Sequence, residues 1–400
     1  MHIIVIDDDP FALKLIRHQL HVIGFNRVES TTSAHDALAR MTGGECFDLV
    51  ITDLQMPELD GVEFVRRLTQ NGFEGGLVLV SGEDERILQT AERLARAHEL
   101  HVLGSLHKPI DPERLRKMLT SHTQPAGDAK RPARRIYGPE EVLEGIRTGQ
   151  LECFCQPKVA LASGEVNGVE MLVRWRHPRD GLVFPDQFIA TAEEHGMIDE
   201  LTRVVLRQAL EQARTWIERG LHLSVAVNVS MESLSDLRFP DFVSREISRA
   251  GVPSSALILE VTESRLMKDV RNALDILARL RLRRVELSID DFGTGHSTLV
   301  QLRDIPFTEL KVDRGFVHGA WRHDSNLGAI LEASLDMARR LGMRSVAEGV
   351  ENQEDWAFLR RRGCDTAQGY FVARPMPMNE LPDWLPVWEE RCRDMGLSGP

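Results

Sequence analysis

The chain has 400 residues, which at roughly 100–200 residues per domain predicts two or three domains. Apolar residues make up 42% and charged residues 28%, the balance of a soluble globular chain. The 49 basic and 61 acidic residues give a net charge of −12, which disfavours non-specific binding to nucleic-acid phosphates. Because the sequence also contains no helix-turn-helix or zinc-finger pattern, we expect no direct nucleic-acid binding.

The N-terminus, the lack of long apolar runs and the cysteines lead us to expect a cytoplasmic protein. No apolar run approaches the roughly 20 residues of a membrane-spanning helix, and Met1 is followed at once by a short strand-like run and three aspartates. We therefore expect neither a secretory signal nor membrane association. Five cysteines, an odd number, favour a reducing compartment over a disulfide framework. Cys153 and Cys155 could share one face of a strand, but a single pair is weak evidence for a metal, and two small core or surface residues are the better interpretation.

The N-terminal third alternates short apolar runs with segments of helical spacing. Strands are predicted at residues 3–6, 49–52, 77–80 and 101–103, with helical spacing after Phe11 and between Glu85 and Ala97. This alternation within roughly 120 residues predicts an α/β fold with a doubly wound parallel sheet.

Chemically active side chains follow these predicted strands. Asp7 and Asp8 follow the first, Asp53 the second, Ser81 the third and Lys108 the fourth. The carboxyl ends of such strands meet at one crevice, where three carboxylates repel one another unless a hard cation such as Mg²⁺ lies among them. Each aspartate alone is better explained as a helix cap, but the five positions in order favour a site that binds a phosphoryl group.

Residues 1–120 resemble a response-regulator receiver domain. The resemblance is carried by IDDDP at 6–10, DLVITDLQMPELDG at 48–61, Ser81, and HKP at 107–109. It implies that Asp53 accepts a phosphoryl group from a sensor histidine kinase, and that Asp7, Asp8 and Asp53 hold one Mg²⁺. It also implies that Ser81 and Lys108 contact the phosphoryl oxygens.

Residues 121–138 are predicted to be a linker, because they combine prolines and glycines with a basic cluster and no apolar period. The cluster consists of Lys130, Arg131, Arg134 and Arg135. It could dock on an acidic neighbour, but a solvated linker is the better interpretation. The predicted domains are therefore 1–120 and 139–390.

After the linker, six apolar runs each end at a polar residue. These residues are Asn228, Glu260, Asp290, Lys311, Glu348 and Gln368. Their spacings of 32, 30, 21, 37 and 20 residues compare with about 31 residues per unit in an eightfold β/α barrel. We therefore predict a (β/α)8 TIM-like barrel, in which polar residues at the carboxyl ends of the strands line the active site.

The predicted barrel mouth is unusually acidic. Further carboxylates are expected there from Glu170, Glu263, Asp291, Asp313 and Glu351. So many carboxylates cannot all ionise in one pocket without cations, and oxygen donors favour Mg²⁺ or Mn²⁺ over zinc. Asp290 beside Asp291 can bridge two ions, as two-metal phosphoester hydrolysis requires. Lys311 could hold or deprotonate the attacking water or stabilise the transition state, and a salt bridge is its structural alternative.

Residues from about 139 to 390 resemble an EAL domain, the cyclic-di-GMP phosphodiesterase module. Among the matching runs are CQPKVAL at 155–161, VEMLVRWRHP at 169–178, VNVS at 227–230, LEVTES at 259–264, SIDDFGTGHSTL at 288–299, LKVDRGFV at 310–317, AEGVE at 347–351 and AQGYFVARPM at 367–376. The resemblance implies hydrolysis of cyclic di-GMP to linear pGpG with two Mg²⁺ or Mn²⁺ ions.

The resemblance also implies a role for each matching residue. The ligands of one ion would be Glu170, Asn228, Glu260 and Asp290. The second ion would be surrounded by Asp290, Asp291 and Glu348. Lys311 would act on the water, Arg174 would contact a substrate phosphate, Gln368 would lie near the second ion and the substrate, and Glu263 would brace the 291–298 loop. Catalysis would depend chiefly on Lys311, Glu170 and Glu348.

Four positions depart from the two family patterns. Ser105 replaces the usual aromatic switch residue three positions before the receiver lysine, which puts the readout of phosphorylation in question. Met171 replaces Ala in the signature triplet, where a change in packing is expected. In the metal loop, His296 replaces Tyr and Thr298 replaces Ser. A histidine there could make activity pH-sensitive, but a tolerated surface or interface residue is the better interpretation.

The expected function is phosphorylation-regulated hydrolysis of cyclic di-GMP. The alternative is a catalytically silent EAL domain that senses the dinucleotide, although silent members typically lack a metal ligand and none is missing here. In a third interpretation the receiver domain chiefly mediates partner binding. Because both families commonly pair, we also expect a homo-oligomer, a dimer or higher.

Overall fold

The computed structural model describes residues 1–57, 59–73, 75–82, 85–98, 100–123, 135–262, 270–293, 299–322 and 326–397. The chain separates into two compact units, Met1–Ala133 and Arg134–Pro400. Within the described ranges, no helix has the length and apolar character needed to span a bilayer.

The first unit is a five-stranded parallel sheet with helices on both faces. Its strands are β1 (Ile3–Ile6), β2 (Val28–Thr31), β3 (Leu49–Asp53), β4 (Gly76–Ser81) and β5 (His101–His107). Its helices are α1 (Pro10–Ile23), α2 (Ala34–Thr42), α3 (Gly61–Gln70), α4 (Glu85–Ala97) and α5 (Pro112–Thr123). The strand order β2-β1-β3-β4-β5 confirms the predicted doubly wound sheet.

Alternate side chains of β1 enter two separate apolar layers. Ile4 and Ile6 join the cluster on one face of the sheet, and Ile3 and Val5 join the cluster on the other. A strand buried on both faces is continuously apolar, so its sequence carries a strong signal. By contrast, β2 reads VEST and buries only Val28, which explains why the sequence did not reveal it.

The second unit contains ten strands and ten α-helices among its described residues. The strands are β6 (Leu151–Ala160), β7 (Val166–His177), β8 (Gly181–Val183), β9 (Ser224–Asn228), β10 (Leu257–Thr262), β11 (Glu286–Phe292), β12 (Glu309–Val312), β13 (Arg344–Ala347), β14 (Thr366–Ala367) and β15 (Met376–Pro377). The helices are α6 (Pro139–Arg147), α7 (Ile189–Glu194), α8 (Ile198–Glu218), α9 (Phe239–Ala250), α10 (Val270–Leu282), α11 (Leu299–Asp304), α12 (Arg314–Val317), α13 (Leu327–Arg340), α14 (Gln353–Arg362) and α15 (Leu381–Asp394).

Eight of these strands close into the predicted barrel. The order β6-β14-β13-β12-β11-β10-β9-β7 is completed by pairing between β6 and β7. Seven strands are parallel, but β6 runs antiparallel to both of its neighbours. The reason is local: a short turn joins β6 to β7, whereas a parallel pair needs a crossover of a dozen or more residues. The short strands β8 and β15 extend the sheet beside β7 and β6.

Barrel strands place apolar side chains outward and polar side chains inward. On β12, Leu310 and Val312 belong to the apolar layer beneath the helices, while the alternate residues Glu309 and Lys311 do not. Strands β10 and β11 follow the same period of two, as the pleat requires. The core of this unit therefore lies between strands and helices, and the barrel interior carries the charged groups.

The end of the predicted linker is attached to the barrel unit. Tyr137 is buried, and its hydroxyl donates a 2.8 Å hydrogen bond to Asp180. Arg135 forms ion pairs with Asp180 at 2.8 Å and Glu141 at 2.9 Å. This part of the basic cluster docks on acidic neighbours, as the less favoured interpretation proposed. The other members, Lys130, Arg131 and Arg134, lie outside the described residues.

Candidate active site

Carboxylates from four parts of the barrel converge on Lys311, which is 1% exposed. Its Nζ lies 2.7 Å from Glu348 Oε1, 3.0 Å from both Asp290 Oδ1 and Glu260 Oε2, and 3.7 Å from Glu170 Oε2. Lys311 therefore forms the salt bridge that was the alternative to a catalytic role, and it does so with all four carboxylates. The same contacts bring the predicted catalytic lysine and four predicted metal ligands within one site.

Strand pairing sets this arrangement. Residue Asn228 on β9 is paired in register with Glu260 on β10, and its Nδ2 donates to Glu170 Oε1 at 3.1 Å and Glu260 Oε2 at 3.3 Å. Gln368 follows β14 and donates from Nε2 to Glu170 Oε2 at 2.5 Å and to Gln156 Oε1 at 3.0 Å. The side-chain amides of Asn228 and Gln368 thus orient the carboxylates of Glu170 and Glu260 inside the barrel.

Burial makes the charge state of this cluster unusual. It raises the pKa of Glu260 well above its ordinary range, and the nearby Glu170 and Asp290 add to the rise while Lys311 opposes it. Burial likewise raises the pKa of Glu348 to about 8. For Lys311, burial disfavours the ammonium, but the surrounding carboxylates outweigh it and raise the pKa well above the ordinary value. Lys311 is therefore a protonated counter-charge.

The oxygen donors at the mouth fit a divalent cation. Asp290, Asp291 and Glu348 each offer an oxygen within 4.8 Å of the others. Among the described residues, the buried Oε1 atoms of Glu260 and Gln368 have no hydrogen-bond partner. Asp291 has φ of 55°, in the left-handed region that non-glycine residues rarely adopt. A strained acidic residue beside other carboxylates points to function, and an all-oxygen donor set suits Mg²⁺ or Mn²⁺.

The first unit gathers its predicted residues at the carboxyl edge of the sheet. Lys108 Nζ lies 2.7 Å from Asp7 Oδ2 and 2.8 Å from Asp53 Oδ2. Asp7, Asp8 and Asp53 offer oxygens within 4.8 Å of one another, which also fits a hard cation. Ser81 ends β4 and its carbonyl accepts from the Lys108 amide at 2.8 Å. Asp53 is 3% exposed, and burial raises its pKa.

Comparison with known proteins finds a family match in each part of the chain. The response regulator receiver domain family matches residues 3–120, and the EAL domain family matches residues 140–375. The cyclic di-GMP phosphodiesterase RocR of Pseudomonas aeruginosa is 31% identical, over 96% of this chain and 98% of RocR. The chain belongs to the EAL family. It carries a receiver domain before its EAL domain, so the resemblances to both families are confirmed.

Two further relatives cover the EAL domain. The cyclic di-GMP phosphodiesterase NbdA of Pseudomonas aeruginosa is 43% identical over 64% of this chain, which spans 33% of NbdA. The solved structure of the PaMucR phosphodiesterase in complex with c-di-GMP is 41% identical, with a TM-score of 0.58, over 60% of this chain and 98% of that chain. EAL phosphodiesterases depend on divalent metal ions.

Arg174 lies beside the carboxylates of the EAL domain. It is 7% exposed, and its guanidinium centre is 5.6 Å from the centroid of the Phe154 ring and 5.1 Å from that of Phe184. Burial lowers its pKa, and its Nε has no hydrogen-bond partner among the described residues. A buried arginine with an unused donor can bind an anion.

Two of the carboxylates predicted at the mouth make contacts of their own, and other predicted residues are not described. Glu351 pairs with Arg314 at 2.8 Å, and Asp313 caps α12 by accepting from the Gly315 amide at 2.8 Å. Asp313 still contributes to the raised pKa of Asp291, after burial and the charge of Asp290. The residues Glu263, His296 and Thr298 lie outside the described part of the chain.

The receiver position without an aromatic residue makes a polar contact instead. Ser105 on β5 donates from its hydroxyl to Glu92 Oε2 on α4 at 2.8 Å. Glu92 also pairs with Arg96 at 2.8 Å. The strand and helix are therefore connected by a hydrogen bond at the place where the family usually has a ring.

The sequence did not identify a charged pair inside the EAL barrel. Lys158 Nζ on β6 lies 2.7 Å from Glu309 Oε1 on β12 and 3.9 Å from Glu260 Oε1. A signal for Glu309 existed, because it precedes Lys311 by two positions and so faces the same side of the strand. Lys158 stands in the matching CQPKVAL run, but spacing alone does not reveal its partner.

Proposed function

We propose that this chain hydrolyses cyclic di-GMP to linear pGpG at the barrel mouth, using two Mg²⁺ or Mn²⁺ ions and regulated by phosphorylation of its receiver domain. The observation that carries the proposal is the convergence of four carboxylates on Lys311 beside the Asp290, Asp291 and Glu348 cluster. We further propose that residues 1–120 form the receiver domain, 121–138 the linker and 139–390 the EAL domain.

Divalent ions bound there would supply an activated water and stabilise charge in the in-line transition state. Glu170, Asn228, Glu260 and Asp290 would provide the oxygen donors for one ion. The donors for the other would be Asp290, Asp291 and Glu348.

The chain's own cations complete the proposed mechanism. Lys311 donates a hydrogen bond that holds the attacking water, and its charge stabilises the negative phosphoryl oxygens. Arg174 binds a substrate phosphate through its guanidinium, whose planar geometry suits two parallel hydrogen bonds. Gln368 keeps Glu170 oriented through its hydrogen bond to Oε2, and we propose that it also contacts the substrate.

Turnover of cyclic di-GMP by the purified chain tests this proposal. We expect pGpG to form with Mn²⁺ or Mg²⁺, and Glu170→Gln and Glu348→Gln to lower turnover by more than about 100-fold, since even supporting residues of metal sites cost 10–100-fold. Glu351→Gln is the matched control, because Glu351 pairs with Arg314. Retained turnover in Glu170→Gln would reject the ligand assignment. Binding of cyclic di-GMP without pGpG in the wild type would favour the silent sensor.

We infer that Asp53 accepts a phosphoryl group from a sensor histidine kinase with the help of one Mg²⁺. Support comes from the convergence of Asp7, Asp8 and Lys108 on Asp53, whose buried Oδ1 has no hydrogen-bond partner among the described residues. The test is turnover with and without a small phosphodonor, in the wild type and in Asp53→Asn. We expect the phosphodonor to change wild-type turnover and not that of the variant. Equal turnover in all four conditions would reject regulation by the receiver.

We also propose that the chain acts in the cytoplasm as a homo-oligomer, a dimer or higher. The five cysteines are unpaired, which suits a reducing compartment. Ile330 and Leu341 on or next to α13 expose 43% and 47% of their surface and provide apolar area for self-association. Light scattering of the full chain at several concentrations measures the state, and a monomer at all of them would reject the oligomer.

A further inference from the structure

A buried ion pair lies inside the EAL barrel and has no part in the proposed mechanism. Lys158 on β6 is 1% exposed and Glu309 on β12 is 3% exposed, and their Nζ and Oε1 atoms are 2.7 Å apart. Replacing a buried ion pair with apolar residues is often neutral or stabilising, because both charges must lose their hydration. Stability alone therefore gives a weak reason for two charges inside a barrel.

Strand register connects this pair to a predicted metal ligand. Glu260 is paired with Ser288 on β11, and Ser288 is paired with Glu309 on β12. The three residues thus lie abreast on adjacent strands. Glu260 is completely buried, and neither its Oε1 nor the Ser288 hydroxyl has a hydrogen-bond partner among the described residues. Lys158 Nζ lies 3.9 Å from that Oε1.

The two oxygens of Glu260 therefore face different lysines. Oε2 is 3.0 Å from Lys311 Nζ, and Oε1 is 3.9 Å from Lys158 Nζ. A charge at this distance still acts strongly on a carboxylate in a low-dielectric interior. Glu309 accepts a hydrogen bond from Lys158 at 2.7 Å and so fixes the position of its ammonium.

We propose that Lys158 is a positioning residue of the phosphodiesterase site, which holds the Glu260 carboxylate in the orientation needed for metal binding and is itself held by Glu309. The inference rests on the proposed function, because it assigns Glu260 as a metal ligand. Neither Lys158 nor Glu309 contacts substrate in this proposal. Their effect passes through Glu260.

The test measures Mn²⁺ affinity of the full chain in three variants. Lys158→Met removes the ammonium but keeps most of the length, and we expect Mn²⁺ affinity to fall by roughly 10–100-fold, as for other supporting residues of metal sites. At saturating Mn²⁺, the KM for cyclic di-GMP should stay near the wild-type value. Glu309→Gln should lower Mn²⁺ affinity less, because Lys158 remains. Direct Mn²⁺ binding by calorimetry gives the affinity independently of turnover.

The double variant separates positioning from folding. Lys158→Met leaves the buried Glu309 with only the more distant Arg344, whose Nη2 lies 3.8 Å from Glu309 Oε2, and so lowers stability. Lys158→Met with Glu309→Gln removes both buried charges and should restore stability. We expect the double variant to bind Mn²⁺ as weakly as the Lys158→Met variant does, even though its stability is restored. Recovery of wild-type affinity along with stability would overturn the inference, as would unchanged affinity in the Lys158→Met variant.

Failure of the proposed function would give a different result. A wild-type chain that binds Mn²⁺ but forms no pGpG would reject the phosphodiesterase, while weakened Mn²⁺ binding in the double variant would still support positioning by Lys158. A wild-type chain without measurable Mn²⁺ binding at the barrel would overturn both.

Discussion

Lys311→Met removes the ammonium on which four carboxylates converge and keeps a side chain of similar length. The lost contacts are those to Glu170, Glu260, Asp290 and Glu348, at 2.7 to 3.7 Å from Nζ. Removing one partner of a buried ion pair typically costs about 3–5 kcal/mol, because the remaining charge is uncompensated. We expect the metal-free variant to lose stability on this scale.

A bound proton moderates the loss. Burial raises the pKa of Glu348 to about 8 even with Lys311 in place, so in the metal-free chain this carboxyl is largely protonated at neutral pH and leaves less uncompensated charge when the lysine is removed. We therefore expect the lower end of the range, about 3 kcal/mol. At roughly 2–4 °C per kcal/mol for a unit of this size, the midpoint of thermal unfolding should fall by roughly 6–12 °C.

Divalent ions should reverse this loss without restoring activity. Ions bound to the folded state stabilise it by mass action, about 2.7 kcal/mol at a concentration 100 times Kd. Mn²⁺ should raise the unfolding midpoint of the variant more than that of the wild type, because Lys311 no longer compensates the charge of the carboxylates. Turnover should stay low, since the group that holds the water is missing.

Tryptophan fluorescence measures this unfolding in the barrel unit alone. All six tryptophans lie after residue 133, at Trp175, Trp216, Trp321, Trp356, Trp384 and Trp388. The thermal transition should be recorded in EDTA and in Mn²⁺. Arg340→Met is the control, because Arg340 is 78% exposed at its side chain and pairs with the exposed Asp336, a contact worth at most about 1 kcal/mol. If Lys311→Met in EDTA lowers the midpoint of thermal unfolding no more than Arg340→Met does, the carboxylates do not depend on Lys311 for charge compensation.

Three further predictions concern other parts of the chain. Burial and the bond to Asp180 raise the pKa of Tyr137 to about 12; in a Tyr370→Phe background, phenolate absorbance should therefore titrate near this pH. The stabilisation that the Tyr137 contact provides should be fully present below the ordinary tyrosine pKa of about 10. It should be lost as the pH rises through the raised pKa of the folded chain. The Tyr137→Phe variant should show no such loss. Asp291→Gly should relieve the backbone strain at the φ of 55° and so raise the free energy of unfolding of the metal-free chain by about 1 kcal/mol. The same change should weaken Mn²⁺ binding, as measured by calorimetry. EDTA should abolish pGpG formation and excess Mn²⁺ should restore it, and turnover that persists in EDTA would contradict the metal requirement.

The sequence revealed those strands whose apolar residues dominate. Strand β3 is buried along its whole length and was predicted to within one residue, whereas β2 buries one residue of four. In the barrel, the polar residue at the end of each apolar run was informative because it is an inward side chain next to residues that pack outward. Lys311 between Leu310 and Val312 is the clearest case. The same alternation makes Glu309 an inward residue, although only its partner explains why it is charged.

Long-range pairing was beyond sequence reasoning. Lys158 and Glu309 are 151 residues apart, and no local period connects a residue on β6 to one on β12. The reversed direction of β6 has the same cause: it depends on the length of one turn and on closure of the barrel by β7 and β14. Motif resemblance predicted the site residues, but not the pairing of Lys158 with Glu309.

The charges of the barrel interior favour two divalent ions over one. Within the described residues, six carboxylates lie in or at the mouth of the interior: Glu170, Glu260, Asp290, Asp291, Glu309 and Glu348. The lysines Lys158 and Lys311 and the buried Arg174 offset three of these charges, which leaves a formal charge of −3 if all are ionised. One divalent ion would leave −1 in a low-dielectric site, where a proton must then be taken up. Two ions allow every carboxylate to be ionised and leave one positive charge for an anionic substrate. Their binding should therefore release protons, and a proton release that saturates only after two Mn²⁺ beyond the one expected in the receiver would be the direct measure of this balance.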